Sequence, residues 1–457
     1  MERGARGALI AFALIYVTFF LDNVLLTVLV PIIPDWVRGE SLELWTRHDA
    51  KAGVQLLSAP LAAAAVCRRG PAPVLRAATA LLAIAALGYC AYWSLTHSRG
   101  LCIINEFRRG VVCPVFSWCG RQGAAGRVWC ACGGRALHGA AAALASVAGL
   151  ALCAAAVPRF HAARAIGALL GAVALGVLVG YPFGGATYST WSRGAPFLLI
   201  AAALLLDLAA QYTYLHPDQM ELSDGESEAG AGECACAEGA WDVRRAAAVC
   251  SAGAVRECAG AVVLTTSVMA ALEPCLPLWL ARRFGSARWQ AGAAFVPDSA
   301  GYLAAASGAG WLARALGAER VALAGQTAVA LAALAIPHAA SVSWLALPHV
   351  ALGCGLGAVD AALVPALLAR HPGDAPTLAA LLQAASSAAY ALGPVVGGVV
   401  SWWLGFETAL RLLGVLNLLY AAFLYRALCR HPLSEQVMLR VPPLAIYLLF
   451  FLFTLIA

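Results

Sequence analysis

Long apolar runs constrain this chain more than any other feature of its sequence. A membrane-crossing helix needs roughly 20 mainly apolar residues, and runs of this kind recur along all 457 residues. Hydrophobic residues make up 62% of the sequence and charged residues 12%, whereas roughly a quarter of a soluble domain is charged. This composition excludes a soluble enzyme, a nucleic-acid-binding domain and a disordered chain. The sequence therefore predicts an all-α polytopic membrane protein.

The apolar runs form two groups of six, with a polar stretch between them. This stretch carries a series of acidic side chains from Asp218 to Asp242 with no Lys or Arg among them. Such a segment is typical of a flexible linker, because it has little apolar surface to bury. The predicted spans lie near 8–34, 50–67, 73–95, 136–157, 163–187, 195–215, 246–280, 290–314, 320–340, 343–369, 376–404 and 407–428.

The spans and the polar stretch together predict the domain organisation. An N-terminal six-helix half covers 1–215, an acidic cytoplasmic linker covers 216–245, and a C-terminal six-helix half covers 246–430. Two segments fit no span. Residues 97–134 are predicted to be an atypical insert in the first half, and residues 431–457 an atypical apolar tail.

Arginines between the spans favour one orientation in the membrane. Basic side chains are enriched in cytoplasmic loops, and most of them here follow even-numbered spans. Both termini are therefore predicted to be cytoplasmic, although Arg282, Arg283 and Arg288 after the seventh span disagree. The supporting residues are Arg3, Arg6, Arg68, Arg69, Arg76, Arg159, Arg164, Arg314, Arg320, Arg426 and Arg430.

The chain has 15 cysteines, many of them in apolar runs, where a thiol acts as a small hydrophobic side chain. The pairs Cys130/Cys132 and Cys234/Cys236 lack a second pair or histidines at zinc-binding spacing. We therefore expect neither a metal site nor a cofactor.

Lys51 is the only lysine of the chain, and it opens the second apolar run. A buried lysine can lose its proton whereas an arginine cannot. Lysine at this position therefore indicates a buried carboxylate partner or a proton step, and we expect an ion pair with an acid, Asp360 first among them. A lysine that extends to the membrane interface from a helix end is the alternative.

Several acids also lie inside apolar runs, where a charge costs roughly 2.5–3.5 kcal/mol on insertion scales and normally faces a polar interior. Asp22 and its neighbour Asn23 stand in the middle of the first span. Glu273 is followed by proline, which predicts a helix broken beside its carboxylate. Asp207 is nearer a span end, where it could be solvated. We predict that Asp22, Glu273 and Asp360 gather between the two halves, where a cationic substrate or protons neutralise them.

A proline followed by paired glycines occurs in both halves. Residues 180–185 of the fifth span read Gly-Tyr-Pro-Phe-Gly-Gly, and residues 393–398 of the eleventh read Gly-Pro-Val-Val-Gly-Gly. Close helix packing alone explains small residues at helical spacing in one helix. Their return at the equivalent position of the other half indicates an internal repeat, as in many transporters.

These motifs resemble the vesicular amine transporters of the major facilitator superfamily. Residues 21–34 (Leu-Asp-Asn-Val-Leu-Leu-Thr-Val-Leu-Val-Pro-Ile-Ile-Pro) are similar to that family's first span, and residues 272–279 (Leu-Glu-Pro-Cys-Leu-Pro-Leu-Trp) to another of its motifs. The resemblance covers 8–95 and 135–428 and implies a 6+6 helix bundle with pseudo-twofold halves. Further matching segments are 176–184, 195–198, 289–297 and 389–394.

The resemblance implies a proton-coupled antiporter and not an enzyme. Such a protein would load a cationic monoamine of the serotonin, dopamine, noradrenaline or histamine type into acidic secretory or synaptic vesicles, in exchange for lumenal protons. Its partners would be the amine, protons and the lipid bilayer, with no nucleic acid, and we expect a monomer.

The resemblance also assigns roles to individual positions. The acid expected to contact the amine is Asp22. The residues implied for ion pairing and proton coupling are Asp22, Lys51, Arg135, Glu273 and Asp360. The residues implied for substrate binding are Asp22, Asn23, Val173, Val177, Thr266, Met269, Glu273, Phe295, Tyr302, Asp360 and Tyr390.

The sequence also departs from the family pattern. Gln383 stands where the family has an aspartate in the eleventh span, and an amide cannot take up a proton, so we expect fewer protons per cycle. Three alternatives stay open. Tyr181 and residues 405–407 and 417–420 resemble the acetylcholine carrier. Gln383 and the predicted insert are compatible with a non-transporting or defective relative. Outside transport, a membrane receptor is the rival, and it would need seven spans.

Overall fold

The computed structural model describes residues 2–28, 41–97, 123–157, 159–192, 194–215, 243–286 and 288–433. Four predicted features therefore lie wholly or partly outside the described residues. Three of these are the end of the first-span motif after Val28, the linker from 216 to 242, and the tail from 434 onwards. Residues 98–122 of the predicted insert are the fourth.

Twelve long helices make up most of the described residues, one for each predicted span. Residues 123–134 of the predicted insert form the first turns of the fourth helix. The bounds are α1 Glu2–Val28, α2 Ser41–Arg69, α3 Pro71–His97, α4 Gly123–Ala156, α5 Arg159–Thr190, α6 Ala195–Tyr214, α7 Gly253–Phe284, α8 Val296–Leu316, α9 Ala318–Ala335, α10 Ala346–Arg370, α11 Ala375–Leu404 and α12 Phe406–Arg430. Short α-helices cover Val243–Ser251 and Arg288–Ala293, and 3₁₀ turns cover Ile336–His338, Ser343–Leu345 and Pro372–Asp374.

Ten of these helices are long and apolar enough to cross a membrane by length and composition. The other two, α2 and α8, hold Lys51 and Asp298 and make the main contacts between the halves. A helix whose polar side chains face the protein interior need not be apolar all round.

The helix contacts repeat between the first six helices and the last six. Helix α1 packs on α5 as α7 packs on α11, α2 packs on α4 as α8 packs on α10, and α3 packs on α6 as α9 packs on α12. Between the halves, α2 packs on α11 and α8 packs on α5. In both contacts the second helix of one half packs on the fifth helix of the other half. The prediction of two pseudo-twofold halves is therefore confirmed.

The repeated glycines serve the same packing role in each half. A Cβ atom on Gly184 of α5 would lie 3.0 Å from the backbone of Val28 in α1. The equivalent atom on Gly397 of α11 would lie 2.6 Å from the Cβ of Ala271 in α7. Small residues thus allow the first helix of each half to approach the fifth closely.

A polar cluster joins the first, third and sixth helices of each half. In the first half the Thr18 hydroxyl donates to Asp207 Oδ2 at 2.7 Å, and Gln211 Nε2 donates to the same oxygen at 2.9 Å and to Thr79 at 3.0 Å. Asp207 is therefore buried and hydrogen-bonded, and the idea that water solvates it is wrong.

In the second half the corresponding cluster contains amides in place of an acid. Gln326 Nε2 of α9 donates to Asn417 Oδ1 of α12 at 2.8 Å, and Asn417 Nδ2 donates to the Leu264 carbonyl of α7 at 3.1 Å. Hydrogen bonds of buried side chains thus link the three helices of each cluster, although Asp207 Oδ1 and Gln326 Oε1 find no partner among the described residues. Each half is therefore stabilised by its own buried cluster, which lies away from the space between the two halves.

The predicted helix break beside Glu273 is wrong, whereas a break that was not predicted occurs in the eighth span. Helix α7 continues through Pro274 and Pro277, because the neighbours of a membrane helix compensate for the hydrogen bonds that proline removes. The predicted span 290–314 is instead interrupted at Ala294 and Phe295, between the short helix Arg288–Ala293 and α8.

Two glycines of α5 offer a matched test of the close packing. A Cβ atom on Gly176 would lie 2.6 Å from the Phe20 carbonyl oxygen and 2.8 Å from the Asn23 Cβ, whereas one on Gly185 would meet nothing within 4 Å. We expect Gly176→Ala to destabilise the fold by about 1–3 kcal/mol through overpacking. Gly185→Ala should be neutral or stabilise it by about 0.5–1 kcal/mol. Melting temperatures of the purified variants in detergent check this, and equal shifts would contradict the packing described.

Candidate functional site

A cavity of about 300 Å³ lies between the two halves. Its walls come from α1, α2, α4 and α5 of the first half, and from α7, α8, α10 and α11 with Phe295 of the second half. The structure brings all thirteen predicted site residues to this one cavity, while their roles stay predictions. They are Asp22, Asn23, Lys51, Arg135, Val173, Val177, Thr266, Met269, Glu273, Phe295, Tyr302, Asp360 and Tyr390.

Asp22 is held by a histidine that the sequence analysis did not single out. His138 of α4 is fully buried, and its Nε2 atom lies 2.8 Å from Asp22 Oδ1. The carboxylate fixes the imidazole at this nitrogen, and its other oxygen accepts no hydrogen bond from the described residues. The neighbouring Asn23 donates from Nδ2 to the Phe19 carbonyl at 2.9 Å. This bond leaves the side-chain oxygen of Asn23 as an acceptor for a ligand.

Both bases of the cavity belong to the first half. Lys51 of α2 and Arg135 of α4 are buried, and neither forms an ion pair with an acid of the described residues. The two terminal nitrogens of Arg135 donate no hydrogen bond within the described part of the chain. A buried cation without a direct partner is costly, so these charges depend on attraction from acids further across the cavity.

The expected pairing of Lys51 with Asp360 differs from what the structure shows. The acids close enough to attract Lys51 are Asp22 and Glu273, and Arg135 is close enough to repel it. The carboxylate of Asp360 instead accepts a hydrogen bond of 2.8 Å from the Tyr302 hydroxyl. This tyrosine comes from α8 and satisfies Asp360 within the second half.

The second half supplies the acidic wall of the cavity. Glu273 of α7, Asp298 of α8 and Asp360 of α10 all line it. Together with Asp22 they make four carboxylates against two bases among the described lining residues. When all six are ionised, two negative charges are in excess. An ammonium group or a proton is the kind of ligand that balances such a site.

Aromatic side chains surround the acids. Phe295 sits at the interruption of the eighth span and packs edge-on against His349, with ring centroids 6.1 Å apart. Tyr302, Tyr390 and Tyr181 line the same cavity. The faces of such rings attract cations, so the cavity combines negative charge with surfaces suited to an organic cation.

Sequence reasoning missed three polar residues of this region. His138 and Asp298 were not considered, and Tyr181 was noted only for a resemblance. A proline at position 297 could have marked a helix start and thus placed Asp298 in a first helical turn. No comparable local signal identified His138, because the face that a helix turns inwards is decided by its neighbours.

Comparison with solved structures and family descriptions defines the class of protein. A crystal structure of the human organic anion transporter MFSD10 superposes with a TM-score of 0.69 at 17% identity, over 91% of this chain and 99% of that one. Residues 258–456 match the description of the Major Facilitator Superfamily. The protein is therefore a multi-pass membrane protein with the major facilitator fold.

Sequence relatives narrow the class. The chain is 31% identical to the rat chromaffin granule amine transporter over 292 residues, which are 63% of this chain and 53% of that protein. It is 28% identical to the mouse vesicular acetylcholine transporter over 330 residues, 68% of this chain and 59% of that protein. The chain is therefore similar in sequence to the vesicular amine transporters. It spans about half of the length of the amine transporters that it matches.

The superfamily match also bears on the predicted tail. It extends to residue 456 and so includes the apolar segment that the sequence analysis regarded as having no counterpart.

A double-mutant cycle tests the charge arrangement. Lys51→Ala and Asp22→Asn should each lower the melting temperature. The double variant should lower it by clearly less than the sum, because each single change leaves the opposite charge without its counterpart and the double change removes both charges. We expect a coupling of about 0.5–3 kcal/mol for this pair. Lys51→Ala with Asp360→Asn should be nearly additive. Coupling with Asp360 but not with Asp22 would restore the original expectation and refute the structural assignment.

Proposed function

We propose that the protein is a proton-coupled antiporter that loads a cationic monoamine into acidic vesicles in exchange for lumenal protons. The observation that carries this proposal is the charge composition of the central cavity. Four carboxylates face two bases there, so two added positive charges would neutralise the cavity. One ammonium and one proton fit that requirement, whereas an anionic substrate would add to the excess.

Asp22 is the acid that we assign to the amine. Its carboxylate stands opposite the acids of the second half and is oriented by His138 at 2.8 Å. An ammonium that binds here can also use the side-chain oxygen of Asn23. The rings of Phe295, Tyr302 and Tyr390 could each add cation–π attraction of about 0.5–2 kcal/mol.

Protons are proposed to act on the second half. When an acid such as Glu273 or Asp360 takes up a proton from the lumen, the cavity loses negative charge and holds the ammonium less strongly. Release into the lumen is then favoured, and loss of the proton on the other side restores binding. Gln383 lines the cavity but cannot take part in this step, so fewer protons per cycle are expected.

The position between two similar halves suits such an exchange. In transporters of this architecture the halves rock against one another around a central site. The contacts of α2 with α11 and of α5 with α8 are the surfaces along which this movement would take place.

Uptake of labelled serotonin into acidified vesicles tests the proposal. Asp22→Asn should reduce uptake per folded transporter by about thirtyfold or more, since removal of one partner of a buried charge pair costs about 2–5 kcal/mol. Asp22→Glu keeps the charge but moves the carboxylate, and should give an intermediate rate. Collapse of the pH gradient should abolish accumulation.

The matched control is Asp207→Asn, a buried acid of α6 that lies outside the cavity lining. It should transport like the parent once the amount of folded protein is taken into account. Undiminished uptake by Asp22→Asn, or uptake indifferent to the pH gradient, would refute the mechanism. A complete absence of uptake by the parent would favour the non-transporting alternative.

Acetylcholine is the second candidate substrate, and one observation favours it. Tyr181, which resembles the acetylcholine carrier in sequence, lines the cavity. We nevertheless expect labelled serotonin to be accumulated at least about tenfold better than labelled acetylcholine, a difference of roughly 1.4 kcal/mol. The reverse preference in the same vesicles would make the protein an acetylcholine carrier. Tyr181→Phe, which removes only the hydroxyl, should leave the preference for serotonin unchanged.

A further inference from the structure

Asp298 is an acid of the cavity to which neither the family resemblance nor the proposed function assigns a role. It lies in the first turn of α8, directly after the interruption of the eighth span and after Pro297. The side chain is only 6% exposed and lines the cavity. Its Oδ1 atom is buried and accepts no hydrogen bond from the described residues. The carboxylate is therefore unsatisfied although it faces the site.

The groups around Asp298 supply no positive charge. Its charged neighbour is Glu273 of α7. The other titratable side chains that face it are Tyr302 from its own helix, Tyr181 from α5, Cys354 from α10 and Tyr390 from α11. Asp360 is already bonded to the Tyr302 hydroxyl.

The base of α10 near this region is His349, and it forms neither an ion pair nor a hydrogen bond with Asp298, although its Nε2 atom has no hydrogen-bond partner among the described residues. His349 Nδ1 lies 2.9 Å from the Leu345 carbonyl oxygen, and the ring packs edge-on against Phe295. Lys51 and Arg135 act across the cavity on Glu273. Asp298 is thus an acid of the cavity that has no base beside it and, unlike Asp360, no hydrogen bond from the described residues at its buried Oδ1 atom.

Two neighbouring carboxylates in a dry site are not both stable as anions. Each ion loses its hydration, and the like charges repel in a low dielectric, so one carboxyl of such a pair keeps a proton or binds a cation. The positive end of helix α8 favours the anion of Asp298 by only about 0.3–1 kcal/mol, which does not offset the loss of hydration. The pair needs one added positive charge.

We propose that Asp298 and Glu273 together bind the proton that is exchanged for the amine. This inference rests on the proposed antiport. It assigns the exchanged proton to acids of α7 and α8, since Gln383 of the eleventh span cannot take one up. The proton adds to a carboxylate oxygen when the site faces the lumen and leaves when it faces the cytoplasm.

A second ammonium group of the substrate is the competing source of the same charge. The observations favour the proton because it requires no space. The cavity of about 300 Å³ is at the small end of ligand pockets, which measure roughly 300–1,000 Å³, and the single ammonium of a monoamine is assigned to Asp22.

Proton release on amine binding tests the inference. Serotonin is added to the purified protein in weakly buffered detergent with a pH dye, for the parent, Asp298→Asn, Asp298→Glu and Asp207→Asn. We expect Asp298→Asn to release about one proton fewer per bound serotonin, so that its affinity changes about tenfold less per pH unit. Asp298→Glu should restore the release, and Asp207→Asn should behave as the parent. Equal release by Asp298→Asn and the parent would overturn the inference.

Infrared spectra separate this inference from the proposed function, because they need no amine. Difference spectra between acidic and neutral pH should show the carbonyl stretch of a protonated carboxyl in the parent, reduced in Asp298→Asn and shifted in Asp298→Glu. An unchanged band in Asp298→Asn would overturn the inference even if the parent transports serotonin. If the parent does not accumulate serotonin although the band is reduced in Asp298→Asn as expected, only the proposed antiport is refuted. If a diamine competes with serotonin for the parent but not for Asp298→Asn, and both release the same number of protons, the site binds a second ammonium group and not a proton.

Discussion

Buried charges that are not paired directly are the constraint on which this structure depends. Lys51 and Arg135 lie in the first half without an ion pair to a described acid, and Glu273 attracts both from the second half. In a low dielectric such attraction acts over a longer range than in water, so the two walls of the cavity stabilise each other across it. The excess of carboxylates then leaves the site dependent on positive charge supplied from outside.

The rest of the fold keeps these charges in place. Close contacts at Gly184 and Gly397 fix the fifth helix of each half against the first, and the buried clusters around Asp207 and Asn417 tie the first, third and sixth helices together. Because these contacts repeat, each half is a unit of its own. The buried charges of Lys51, Arg135, Glu273 and Asp298 therefore lie between the halves, where a ligand and a relative movement of the halves can both act on them.

The sequence was sufficient for the spans and for a set of residues that line one cavity, but not for the pairing of side chains within that cavity. Twelve apolar runs marked twelve helices, and specific motifs led to thirteen residues that one cavity brings together. The partner of Lys51 could not be derived, because several acids were available and only tertiary packing decides which one is near. For the same reason His138 was missed, since nothing in its local sequence shows that it faces Asp22.

Proline was the least reliable signal. Pro274 and Pro277 predicted a break that α7 does not have, whereas Pro297 begins α8 after an interruption that was not expected. Proline is compatible both with the first turn of a helix and, in membranes, with its interior, and packing by neighbouring helices decides between these outcomes. Asp298 shows the functional consequence, because only the interruption places this acid at the cavity.

The most direct test of the account is the simultaneous measurement of amine and proton movement by the unaltered protein. Purified protein would be reconstituted into vesicles with an acidic lumen that contains a pH dye, and labelled serotonin would be added outside. The account predicts that serotonin accumulates only while the gradient exists and that the lumen becomes less acidic in proportion to the amine taken up. Accumulation without any change of lumenal pH would contradict it.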